Sequence, residues 1–194
     1  MGSACSRRKA KEDPPMTKNP YEALTPAQQV HAAACNGDVK HIEKLAAEGV
    51  DLNTPRQPDN FHALDACAWC EATECGLALL RLGADPCLTM QAVVGAAANG
   101  SHELLVALLD AGGPVDQELS DSSALRWAIE MNQEECAEIL LKRGAWEKEP
   151  EQDWLLARFK RKRMAKALAA VAKLDPSLAE ECVMPPYWSG CSML

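Results

Sequence analysis

A Leu-rich stretch closed by Gly recurs four times along the 194 residues, and this recurrence limits the fold more than any other feature. The four copies are Lys44–Gly49, Leu79–Gly83, Leu108–Gly112 and Leu140–Gly144, with their glycines 34, 29 and 32 residues apart. Each Gly stands where a helix would end, at the position that often needs positive φ. Upstream of each lies a second, Ala-rich segment: His31–Cys35, Leu64–Ala68, Val93–Ala97 and Leu125–Ile129. Asn36-Gly37-Asp38 and Asn99-Gly100-Ser101 are turn signals between the two segments of the first and third copies. Each unit therefore reads as a short helix, a tight turn and a second helix, with small residues on the first helix allowing close packing. Composition agrees with an all-α fold. The apolar 47% is mostly Ala and Leu, with two Phe and two Tyr, whereas strands favour aromatic and β-branched residues.

In this arrangement the chain resembles the ankyrin repeat family. Asn36-Gly37 and Asn99-Gly100 match the family's turn, and Gly83-Ala84-Asp85 matches its end. His62–Ala68 and Ser123–Ala128 are degenerate forms of its T-P-L-H-x-A-A opening. The likeness covers residues 21–147 and implies a solenoid of about four helix-turn-helix units joined by short hairpin loops, or fingers. The 29-residue spacing removes residues from Ala84–Met90, so the finger there is expected to be truncated, while 50–61 and 115–122 leave room for full ones. The resemblance further implies that fingers and first helices form a concave partner-binding side. Trp69 and Trp127 are expected to point towards it, with Arg56, Asn60 and Glu130 contributing.

Four segments follow: a tail over 1–20, the repeat domain over 21–150, a basic amphipathic helix over 151–175 and a flexible tail over 176–194. The basic helix is expected to be continuous, to start at an Asp153 cap and to stop at Asp175-Pro176, without a repeat's turn or terminal Gly. It can cap the array. Its bases Arg158, Lys160, Arg161, Lys162, Arg163 and Lys166 fit three readings: a solvated face, a membrane-facing stretch, or a calmodulin target anchored by Trp154, Phe159, Met164 and Leu168.

The N-terminus, Met1-Gly2-Ser3-Ala4-Cys5-Ser6, matches the acceptor pattern for N-myristoylation on Gly2. One acyl chain binds a membrane only marginally. Cys5 as a palmitoylation site and Arg7, Arg8 and Lys9 as an electrostatic contact would supply the second signal. The C-terminus ends Cys191-Ser192-Met193-Leu194, a prenylation box whose Ser192 departs from the aliphatic pattern.

Net charge is −8, but residues 14–150 carry 9 basic and 21 acidic side chains while both ends are basic. An acidic body is a poor nucleic-acid binder. Cys67-Ala68-Trp69-Cys70 raises metal or redox chemistry, also with Cys75, but no second C-x-x-C follows. The repeat register instead makes Cys67 a buried small residue and places Cys75 on a core face. No catalytic constellation or cofactor motif is present. The expectation is a non-enzymatic, monomeric adaptor for an unidentified protein, lipid-anchored on the cytoplasmic face of a membrane. Its rival is a soluble ankyrin-type regulator of an enzyme. A calmodulin-responsive adaptor and a thiol sensor are further alternatives.

Overall fold

The computed structural model describes residues 20–120, 122–145, 151–178 and 182. The chain is mostly helical. Helices α1 (Pro26–Asn36) and α2 (Val39–Ala47) form a first pair, α3 (Ala63–Trp69) and α4 (Thr73–Arg81) a second, and α5 (Ala92–Asn99) and α6 (His102–Asp110) a third. Helices α7 (Ala124–Glu130) and α8 (Glu134–Lys142) follow, and then α9 (Glu151–Lys162) and α10 (Ala165–Leu174). The odd-numbered helices pack in one row and the even-numbered in another, each pair stacking on the next.

The turns inside the pairs explain the register. Gly37, Glu71, Gly100, Asn132 and Arg163 all have left-handed backbones, with φ from 57° to 75°. They stand 34, 29, 32 and 31 residues apart, so the first three spacings repeat those of the terminal glycines. Gly49, Gly83, Gly112 and Gly144 are themselves left-handed, as the spacing predicts. A left-handed turn costs a non-Gly residue up to about 1–2 kcal/mol, so packing must hold Glu71, Asn132 and Arg163 there.

Arg163 corrects the sequence reading of 151–175. The basic segment is not one helix but a fifth pair, broken at Arg163-Met164, with α10 packed on α8 and α9 on α7. Its helix begins at Glu151, two residues before the expected Asp153 cap. Phe159, Met164, Leu168 and Val171 are buried in the same core as the other pairs. The expected flexible tail also begins in packed structure: Pro176–Leu178 form a short 3-10 turn and Cys182 is buried.

The core is built from small residues in the odd row and larger ones in the even row. Every residue from Ala92 to Ala98 is buried, because α5 has α3 and α7 on its flanks and α6 behind it. Leu104, Leu105 and Leu108 of α6 fill the space between rows. Cys67 and Cys75 are fully buried, as the register requires. Three connections differ as their lengths predict. Arg56 and Phe61 close a small hairpin, β1 (Glu118–Leu119) and β2 (Ser122–Ser123) pair in another, and the short 84–90 connection holds only a 3-10 turn at Pro86–Leu88.

Candidate partner-binding face

Polar side chains tie the connections to the odd-row helices and to one another. Asp65, fully buried, accepts from the backbone N–H of His62 at 2.9 Å and of Gln91 at 2.8 Å, joining the starts of α3 and α5. Gln117 performs the same task one unit later. Its Oε1 accepts from Val93 N–H at 2.9 Å and Val94 N–H at 3.3 Å, and its Nε2 donates to Thr89 O at 2.9 Å. Asn53 Oδ1 accepts from Asp85 N–H at 2.8 Å, linking the first hairpin to the shortened connection. Leaving the buried Asp65 or Gln117 side chain unpaired would cost about 1–3 kcal/mol, so these two ties hold the connections against the helices.

On the rim that the connections form, Arg56 and Asn60 lie in the hairpin closed by Arg56 and Phe61. The Arg56 guanidinium pairs with Asp59 at 2.5 Å and lies 5.2 Å from the Phe61 ring centroid, and its hydrogen bond holds the Asp59 carboxyl below the usual range. Asn60 takes a left-handed backbone and donates to Met90 Sδ at 3.6 Å. Behind the hairpin, Thr25, Gln28, His31, Thr54, Arg56 and Gln57 line a depression of about 280 Å³. His31 is buried and donates Nε2–H to Thr54 O at 3.2 Å, which leaves its equally buried Nδ1 without a partner. Burial pulls its pKa down.

The two Trp residues are half-buried rather than presented as free aromatic faces. Trp127 donates Nε1–H to Leu119 O at 3.2 Å and packs on the core, bracing the β1–β2 hairpin. With Ser122, Arg126 and Glu130 it lines a depression of about 220 Å³. Trp69 sits over α5: a Cβ added at Gly95 would lie 3.2 Å from its Cε2 and Nε1. Gly95 is what lets the indole approach. Glu130 also pairs with Arg158, and its carbonyl accepts from Lys162 Nζ at 2.5 Å. Large exposed apolar side chains on this rim are Leu88 and Met90, at 50% and 54%, which sequence reasoning passed over. Their signal was available in the truncated connection, which is too short to fold back over its own apolar residues.

The six bases of the fifth pair divide by function. Arg158 pairs with Glu130, Lys162 bonds to the Glu130 carbonyl, and Lys166 pairs with Glu135 at 3.1 Å while its backbone N–H donates to Glu134. The Lys166 hydrogen bond lowers the Glu135 pKa. Arg161 and Arg163 are exposed and Lys160 is half-buried. Phe159, Met164 and Leu168, the expected calmodulin anchors, are core residues, so capture through them requires the fifth pair to detach. The side chain of Trp154 is outside the described residues.

Gly2, Cys5, Arg7, Arg8, Lys9 and Cys191 also lie outside the described residues. Among those described, no helix is long and apolar enough to cross a membrane, and no group of three or more His, Cys, Asp and Glu is placed to hold a metal ion. No known protein family matches the chain, and no curated protein matches its sequence at a significant level.

Proposed function

We propose that the chain is an ankyrin-type repeat protein of five units, acting as an adaptor that binds a partner protein along its rim and odd-row helices while lipid on Gly2 and Cys5 holds it at the cytosolic face of a membrane. The observation that carries the reading is the register of five left-handed turns, at Gly37, Glu71, Gly100, Asn132 and Arg163, each between paired helices. A stack of such units has an extended open side and neighbour-only contacts, the architecture of a binding scaffold. Leu88 and Met90 are the exposed apolar contacts on that side, rimmed by Asp85 and Asp59, and aliphatic anchors inside a polar ring suit protein recognition. The tether rests on the Gly2–Ser6 pattern with Cys5 and the bases Arg7, Arg8 and Lys9 as second signals. No nucleic-acid, cofactor or catalytic role belongs to this reading.

The test expresses the full chain in a eukaryotic cell and reads both halves of the proposal. Intact mass should carry a myristoyl adduct, and Gly2→Ala should move the protein from membranes to the soluble fraction. Leu88→Glu with Met90→Glu should abolish proximity labelling of the partner at an unchanged melting temperature. An unmodified, soluble chain that still captures its partner through the rim would favour the soluble-regulator reading. A membrane-bound Gly2→Ala protein would overturn acylation as the anchor.

A further inference from the structure

Adjacent units are tied at the ends of their odd-row helices by a side chain reaching back to the preceding helix. Asn99, the last residue of α5, donates Nδ2–H to Ala68 O at 2.9 Å and to Trp69 O at 3.3 Å. Counted from the left-handed residues Gly100 and Glu71, the residue in Asn99's place is Cys70, directly after the end of α3. The groups it meets should then be Ala34 and Cys35, since Gly37 stands 34 residues before Glu71. Cys67, one turn earlier, already rests there with its Sγ 3.9 Å from Ala34 O. At this boundary a thiol replaces the amide, and the register brings it to a second thiol, that of Cys35, with Cys70 close enough to raise the Cys35 pKa. Both are free and exposed, whereas Cys67, the other half of the C-x-x-C, is buried. The contact is thus a product of stacking, and the sequence spacing of the two cysteines hides it.

We propose that Cys35 and Cys70 form an oxidative modification site, a dithiol that a low-molecular-weight disulfide such as glutathione disulfide converts into a covalent staple between the first two units. The Cys70 thiolate attacks one sulfur of the small disulfide, whose S–S bond breaks and releases one small thiol with a proton. Cys35 then loses its proton and attacks Sγ of Cys70, expelling the second small thiol. Two protein thiols are oxidised and one disulfide is reduced to two thiols. Cys35 is the resolving partner. Partial desolvation, and then the neighbouring Cys70 thiol, hold its thiol up at about 11, so it reacts once a sulfur is delivered beside it. Trp69 immediately precedes Cys70, so the staple sets the spacing of the first two units at one edge of the proposed partner face. This inference is independent of the identity of the partner and of the lipid anchor.

The experiment incubates the purified full chain with glutathione disulfide, blocks residual thiols and maps linked peptides. The expected product joins Cys35 to Cys70, reverses with dithiothreitol and melts several degrees higher than the reduced protein, because it closes a loop in the unfolded chain. Cys35→Ser should retain one glutathione on Cys70 and gain no thermal stability. Phenylarsine oxide, which bridges two thiols in contact, should bind the reduced protein and neither Cys35→Ser nor Cys70→Ser. A Cys67–Cys70 link, stable glutathione adducts on both Cys35 and Cys70, or no reaction at either would overturn the proposal.

Discussion

At the scale of single residues, the small and apolar positions were legible and the buried polar ones were not. Cys67 and Cys75 could be assigned to the core because a free thiol behaves as a small hydrophobe in an Ala-rich register. Asp65 and Gln117 carry no such signature, since their partners are backbone groups of the next unit and only the fold brings these together. His31 makes the clearest prediction. Desolvation lowers its pKa below the ordinary value of 6.5, so the folded chain keeps it neutral while the unfolded chain takes up a proton as pH falls past that value. More protons bound in the unfolded state means stability that is intact above pH 6.5 and lost on acidification below it. The melting temperature should therefore drop between about pH 7.5 and about pH 5.5, and the drop should shrink in His31→Gln. An identical drop in both proteins would assign the titration to another group. Gly95 supplies a second test. Its added Cβ would sit 3.1 Å from Ala68 Cβ and 3.2 Å from the Trp69 ring. Overpacking costs about 1–3 kcal/mol, and the gain in helix propensity from Gly to Ala is about 1 kcal/mol, so Gly95→Ala should destabilise by roughly 1 kcal/mol. In a Trp69→Ala background that penalty should shrink by about 1 kcal/mol in chemical denaturation. Additive effects would mean that the indole does not rest on α5.

At the scale of elements, helix pairs are readable wherever a Gly closes the second helix, and this is why four of the five were evident. The fifth ends in Asp175 and turns at Arg163, a residue with no local preference for a left-handed backbone. Its run of bases fits one amphipathic helix as well as two. What breaks it is tertiary: α9 must lie on α7 and α10 on α8, and only a turn between them lets both dock. The same docking explains the bases. Arg158, Lys162 and Lys166 meet the acids and carbonyls of α7 and α8, so their charge is spent inside the molecule. Lys160 and Arg161 are the better candidates for an external anionic surface. Lys160→Gln with Arg161→Gln should lower binding to phosphatidylserine vesicles at low salt, where the Debye length exceeds about 10 Å, and leave the melting temperature unchanged. Glu130→Gln should do the reverse. It should loosen the fifth pair by up to about 1 kcal/mol, read as faster proteolysis after Lys160 and Arg161, with vesicle binding intact. If both variants bind vesicles as the parent does, Lys160 and Arg161 only solubilise the end of the stack.

At the scale of the whole molecule, stability in a stack of units is the sum of what each contributes and what each boundary adds. The boundaries are unequal here. The third unit has neighbours on both sides and an α5 buried along its whole length from Ala92 to Ala98, whereas the first unit is covered on one side by the second. Leu105 in α6 and Leu45 in α2 are both buried Leu residues, at 0% and 3% exposure, so truncation removes similar apolar area from each. The direct cost of Leu→Ala is about 2–5 kcal/mol at either site. Its reach should differ. Leu105→Ala weakens the unit through which both ends are coupled, so amide protection should fall together from α3 to α8. Leu45→Ala should release α1 and α2 alone and leave α5, α7 and α8 protected as in the parent. Native-state hydrogen exchange read helix by helix distinguishes these outcomes. A uniform loss of protection in Leu45→Ala would mean that the chain unfolds in one step, and the nearest-neighbour description of the stack would fail.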